Sequence, residues 1–134
     1  MLLLAMVVPE TLAMGQDVVI IANAKVQVSQ ITTRELRDIF TGSKAKFHDG
    51  SAAVPGMLKG GAVHEVFLKK HIGQNPEEFR ANWRKIVSAG QGVMPFEFVS
   101  ESALLNFVEN APGAIGYVSR VPPDTHVKTL SISP

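Results

Sequence analysis

Residues 31–42, Ile-Thr-Thr-Arg-Glu-Leu-Arg-Asp-Ile-Phe-Thr-Gly, constrain this chain more than any other stretch, because they specify one element from end to end. Thr32 can cap a helix N-terminus, and Glu35 stands three residues on, the spacing of a capping box. Ile31 and Leu36 are placed as the hydrophobic staple around that cap. Leu36, Ile39 and Phe40 make an apolar face at helical spacing. Gly42 can take the left-handed conformation that ends the helix. A helix with so defined an apolar face needs a layer to pack on.

The rest of the chain supplies that layer. Val18 to Ala22 is a continuous apolar run rich in β-branched residues and reads as a buried strand. A polar-alternating loop from Asn23 to Gln30 leads into the first helix. Ser43 to Ala52 is a connector with an Asp49-Gly50 turn. Ala53 to Met57 reads as a second strand, and Pro55, which cannot donate to a ladder, predicts that it is either short or at an edge. Gly60-Gly61 opens a second helix over Ala62 to Ile72, with Val63, Val66 and Phe67 inward and Gly73 as its stop. Asn75-Pro76-Glu77-Glu78 starts a third: an Asn cap, Pro at the first position, then acids in the first turn. Phe79, Trp83, Ile86 and Val87 fall on one face of it, and Gly90 and Gly92 end the unit. Ser100 caps a fourth helix that offers Leu104, Phe107, Val108 and Ala111 to the core, and Pro112-Gly113 stops it. Ala114 to Val118 is a second buried strand, expected in the same sheet as Val18–Ala22, and Val127 to Ile132 reads as a terminal strand. Strands alternating with helices predict an α/β fold, a three-layer αβα sandwich with a mostly parallel sheet. The expected core is Leu36, Ile39, Phe40, Phe67, Phe79, Trp83 and Ile115.

Length and charge then narrow the function classes. A chain of 134 residues fits one domain with a real core. Its formal net charge of +1 is far from the basic excess of a nucleic-acid footprint, so no nucleic-acid partner is expected. The absence of cysteine excludes disulfides, thiol catalysis and cysteine zinc sites. Residues 1–16 read as a signal peptide or N-terminal extension, with residues 17–134 as the domain. Leu2 to Val8 is apolar, and Leu12-Ala13-Met14-Gly15 offers small residues where a signal peptidase could cut, after Ala13 or Gly15. No Lys or Arg precedes the apolar run, which departs from the usual signal pattern. The run is too short to span a membrane.

Three blocks carry a family resemblance. The first reads Gln30-Ile-Thr-Thr-Arg-Glu-Leu-Arg-Asp-Ile-Phe-Thr-Gly42, followed by Phe47-His48-Asp49-Gly50. The second is Phe79-Arg-Ala-Asn-Trp83 before the Gly-rich Ala89-Gly-Gln-Gly92. The third and most specific is Val108-Glu-Asn-Ala-Pro-Gly-Ala-Ile-Gly-Tyr-Val118, in which a helix stops at Pro-Gly and Gly116 allows a close approach. Together they resemble the periplasmic phosphate-binding proteins, the substrate-binding subunits of phosphate ABC transporters. The resemblance runs from about Val18 to Val118. It implies one stand-alone lobe of the two-lobed type 2 periplasmic-binding-protein fold, an exported periplasmic location and no catalytic role. It also implies phosphate or another inorganic oxyanion as ligand, and a periplasmic or membrane partner such as a transport system. The alternative is an accessory periplasmic interaction module with no solute.

In that family a loop of the form R-x-x-G-S-G-T at a helix start helps to hold phosphate, through helix amides, hydroxyls and a guanidinium. The matching place is Met57 to Val63, and it gives the candidate ligand-binding residues Lys59, Gly60, Gly61, Ala62 and Val63. The hydroxyl residues and the Arg are absent, so the site would be a weak one of backbone amides, with Lys59 as a point charge. Taken alone, Gly60-Gly61 reads more readily as a turn from strand to helix. Ser29, Thr32 and Thr33 are a second candidate, largely consumed by the helix cap. His48, His64, His71 and His126 are expected as solvated surface histidines. His64 and His71 share a helix face but stand about 10 Å apart along its axis, long for one metal ion. Glu77 and Glu78 are explained as first-turn charges, and Ser100-Glu-Ser102 lacks the glycines of a nucleophile elbow. Lys69, Lys70, Arg34, Arg37 and Arg84 read as solvated. No catalytic residue, metal or cofactor is expected.

Overall fold

The computed structural model describes residues 17–134. The expected signal segment, residues 1–16, lies outside the described residues. The strands are β1 (Val19–Asn23), β2 (Gln30–Thr32), β3 (Val54–Leu58), β4 (Phe96–Phe98), β5 (Ala114–Val118), β6 (Val127–Thr129) and β7 (Ser131–Ser133). The helices are α1 (Thr33–Phe40), α2 (Ala62–Phe67), α3 (Pro76–Ser88) and α4 (Glu101–Asn110), and α2 runs on into a π-helical segment, Leu68–Ile72.

Five strands form one sheet in the order β4-β3-β5-β1-β6. β3 is parallel to both β4 and β5, while β1 is antiparallel to β5 and to β6. Four strands therefore point one way and β1 alone is reversed. The two apolar runs are neighbours, with Ile20 opposite Tyr117 and Ile21 opposite Gly116. Their lack of polar alternation follows from helices on both faces.

Alternation along β5 assigns the two faces. Gly116 faces α4: a Cβ there would meet Leu104 Cδ1 and Val108 Cγ2 at 3.1 Å. Gly56 on β3 does the same against Phe107, at 2.8 Å. These two glycines form a shallow bed into which α4 sinks. The close approach at Gly116 is thus chiefly to helix side chains, with the Gly56 carbonyl at 3.5 Å. Tyr117 faces the other way, towards Phe40 of α1 and Phe67 of α2. All seven expected core residues are buried, none more than 3% exposed.

Several local expectations are corrected. Of the two alternatives for β3, short or at an edge, the edge does not hold, since β3 lies between β4 and β5 and is five residues long. Pro55 pairs with Ile115 on one side, and pairing with β4 begins only at Gly56, so its missing donor falls where no second neighbour exists. The terminal strand is two strands: Leu130 is buried, its amide still bonds the Ile20 carbonyl, and the next amide turns to Ser29. β7 then pairs in parallel with β2, a strand not anticipated, in a separate two-stranded sheet. β4 was likewise not anticipated. The capping box at α1 is only half made. Thr32 accepts from the Glu35 amide, but the Glu35 carboxylate turns away to His48, accepting from its backbone N–H at 3.0 Å and meeting ring Nδ1 at 3.0 Å. The full box exists at α3, between Asn75 and Glu78. On α3 the apolar stripe fades at its end: Ile86 is half-buried and Val87, in the last turn, is 46% exposed.

Phe40 tests the packing of this core. It is fully buried, edge-on to Phe67 with ring centroids 4.9 Å apart. Phe40→Ala is expected to lower unfolding free energy by about 3–5 kcal/mol, measured by urea denaturation. A loss below about 1 kcal/mol would mean that this site collapses without a cavity.

Candidate functional site

β3, β4 and β5 are parallel, so their C-terminal ends lie at one end of the sheet, where parallel α/β folds usually bind ligands. Lys59, Gly60 and Gly61 leave β3 there. The Lys59 amide donates to the Phe98 carbonyl at 2.9 Å, tying the loop's first residue to the end of β4. Lys59, Gly60, Gly61 and Ala62 are exposed and Val63 is half-buried. Lys59 joins no ion pair among the described residues.

Gly61 is the N-cap of α2, with φ at +96°, a conformation that L side chains rarely adopt. No side chain caps this helix. The other three helices have caps: Thr32 for α1, Asn75 for α3 and Ser100 for α4. The first-turn N–H groups of α2 thus have no side-chain partner among the described residues, and a Cβ built on Gly60 or Gly61 would meet nothing within 4 Å. The sequence-predicted residues Lys59, Gly60, Gly61, Ala62 and Val63 are brought together as one open loop and helix start.

Beneath the loop lies a buried hydrogen-bonded chain. The Leu58 amide donates to the Tyr117 hydroxyl oxygen at 2.9 Å, and that hydroxyl meets His64 Nδ1 at 2.5 Å. Leu58 ends β3 and His64 stands in the first turn of α2, so Tyr117 links both sides of the loop. The Tyr117 ring stacks on Phe67 with centroids 3.8 Å apart. Burial, more than any neighbouring charge, pushes the Tyr117 phenol well above its ordinary range. His64 is 3% exposed, and burial, aided by the Arg80 guanidinium, holds its pKa at about 4. His71 is buried too, against Phe67, and burial with Lys70 lowers its pKa. Both overturn the expectation of surface histidines. His64 turns inward because a partner 53 positions away in sequence awaits it, a contact that helical periodicity does not show.

The other candidates do not assemble. The Thr32 hydroxyl caps α1 and the Thr33 hydroxyl donates to the Ser133 carbonyl, so two of the three hydroxyls of the second anion candidate, Ser29, Thr32 and Thr33, are spent on structure. The Ser100 hydroxyl caps α4, and the Glu101 carboxylate accepts from the amide and hydroxyl of Ser119. His48 is tied to Glu35, and exposed His126 stands near Glu109. No group of three or more potential metal ligands forms among the described residues. A cavity of about 280 Å³ opens at the other end of β3, beside Pro55, Trp83 and Met94, with Lys44 on its lining; it is mostly apolar and gathers no acid–base pair.

No family model matches the sequence, and no curated protein matches it. Solved structures do match in fold. One is described as a phosphate ABC transporter substrate-binding protein with bound phosphate, from Clostridium perfringens, with a TM-score of 0.68 and 18% identity, covering 87% of this chain and 45% of that one. An ABC-type phosphate transport receptor from Vibrio cholerae matches with a TM-score of 0.64 and 15% identity, over 87% of this chain and 46% of that one. PstS from Borrelia burgdorferi gives 0.62 and 14%, over 96% and 55%. The chain spans about half the length of these proteins. It has the α/β fold of one part of a phosphate-type substrate-binding protein, the architecture expected from its three sequence blocks.

The buried imidazole yields a stability prediction. The folded pKa of His64 lies below the unfolded value of 6.5, so the unfolded chain binds more protons between pH 6.5 and 4. Stability from neutral His64 is present above pH 6.5 and is lost as pH falls towards 4. His64→Asn removes this component. The stability advantage of wild type over the variant is therefore expected to shrink by about 1–3 kcal/mol between pH 7 and 4. Urea titrations at a series of pH values measure it, and a constant gap would show that His64 titrates normally.

Proposed function

We propose that this chain is an exported, non-enzymatic solute-binding module that holds an inorganic oxyanion such as phosphate, weakly, at Lys59–Val63. The observation that carries the reading is the uncapped start of α2. No side chain caps its first-turn amides, the two preceding glycines are exposed, and the adjacent cation is unpaired among the described residues. Helix amides and a positive dipole end attract an anion there. Two of the solved structures of like fold are named as phosphate transport proteins, one of them with bound phosphate, and this supports the choice of ligand. The same likeness, to solute-binding proteins, supports the non-enzymatic reading.

Export and a periplasmic location are part of the same proposal. They rest on the apolar run Leu2–Val8 and the small residues after it. No helix among the described residues is long and apolar enough to cross a membrane. A transport-system partner is proposed from the likeness alone. The product purified from periplasm is expected to begin between Met14 and Asp17, as read by N-terminal sequencing; an intact Met1 contradicts export by cleavage.

The missing hydroxyl and guanidinium donors set the affinity. Calorimetry with phosphate is expected to give a Kd weaker than about 10 μM, less than roughly 7 kcal/mol of binding free energy. Lys59→Ala weakens binding further, and added salt does the same because Lys59 is exposed. Sub-micromolar binding would place the site elsewhere. No heat and no thermal stabilisation by millimolar phosphate would leave the interaction-module reading, since a ligand of the native state must stabilise it.

A further inference from the structure

The oxyanion reading uses backbone amides and one lysine, and leaves the buried pair beneath them without a role. Tyr117 and His64 are both almost wholly buried, and each could be replaced by an apolar residue if packing were the only demand. Instead their polar atoms form one chain that starts at the last amide of β3 and ends in the first turn of α2.

Proton accounting gives this chain a direction. The Tyr117 oxygen accepts from the Leu58 N–H, so the phenol proton is free to donate to His64 Nδ1. That bond requires Nδ1 to be an acceptor, which places the proton of the neutral ring on Nε2. A second proton turns both ring nitrogens into donors. The Tyr117 oxygen would then face two N–H groups, and its own proton would lose its acceptor. A buried donor without a partner is costly, and so is the new cation. The groups around the ring offer that cation little. Phe79 of α3 meets it edge-on at 6.2 Å, Tyr117 of β5 stacks at 6.1 Å, and Arg80 of α3 adds like charge. Of the acids, Glu97 of β4 acts on Tyr117, Glu65 next to His64 in the chain is exposed, and neither makes a hydrogen bond to His64 among the described residues.

We propose that His64 and Tyr117 form a proton-operated latch on the Lys59–Val63 loop: neutral His64 holds strand end to helix start, and protonated His64 lets them part. The latch concerns the conformation of the loop, and it rests on the oxyanion reading only for its effect on binding. A closed latch sets the spacing of the loop's amides, and an open one loses it. The chain would therefore release an anion in acid without any titration of the anion itself.

Amide hydrogen exchange on the full chain, corrected for intrinsic rates, tests this without ligand. Leu58 reports directly, because its N–H is the first bond of the latch, and Glu65 reports the first turn of α2 through its bond to Gly61. Protection at Leu58 and Glu65 is expected to fall at least tenfold more from pH 7 to 4 than protection in β1 and β5, which follows only the global stability lost with neutral His64. In His64→Asn the side-chain oxygen can accept the phenol proton and does not titrate, so protection stays constant over that range. Unchanged protection in wild type, equal loss in His64→Asn, or a loss no greater than that of β1 and β5 would each overturn the latch. Calorimetry with sulfate, whose charge is constant over this range, is the second arm. Sulfate affinity is expected to drop at least tenfold from pH 7 to 4 in wild type and to persist in His64→Asn. A pH-dependent loop that binds no sulfate at either pH would uphold the latch and refute the oxyanion reading. Sulfate binding equally at both pH values would refute the latch.

Discussion

Tyr117 carries a hydroxyl into the core among the rings of Phe40 and Phe67, and the arrangement around the sheet follows from satisfying it. Its ring is fully buried, stacked on Phe67 and edge-on to Phe40. That packing seats α1 and α2 on one face. The hydroxyl cannot be left alone in such surroundings. It takes the amide at the end of β3 and reaches the only His in the first turn of α2. The same two-residue stretch of β5 governs the opposite face, where Gly116 leaves room for Leu104 and Val108 of α4. The largest and the smallest side chains of the strand stand side by side, and they fix the depth of both layers.

The open loop at the start of α2 is a consequence of this arrangement. Tyr117 anchors Leu58 and His64, and the five residues between them must turn from strand to helix. Gly61 supplies the left-handed backbone that makes the turn. No side chain closes the helix start. The loop thus combines buried anchors with an uncapped helix start, the feature on which the proposed anion site rests. Charge is the missing part: one exposed lysine stands where the resemblance leads one to expect hydroxyls and a planar guanidinium.

Sequence alone revealed much of this. The helix starts at Thr32, Asn75 and Ser100 were legible because a cap and its amide partner lie three residues apart. The two buried strands were legible as apolar runs, and the Pro-Gly-Ala-Ile-Gly-Tyr-Val block located α4, β5 and the fold. Strands of three residues, such as β2 and β4, are too short for a period to show. The break at Leu130 depends on two separate neighbours, Ile20 and Ser29. Glu35 satisfied a local capping rule but was claimed by the turn at His48, 13 residues away. The candidate loop was read from its glycines and the resemblance. The polar chain under it was not, because its members come from three elements that meet only in the folded sheet.

The most direct test of the account is a two-dimensional amide spectrum of the chain titrated with phosphate at neutral pH. The account predicts concentration-dependent shifts concentrated on Gly60, Gly61, Ala62 and Val63, with the amides of β1 and β6 unmoved. Shifts centred on another surface, or none at millimolar phosphate, would contradict it.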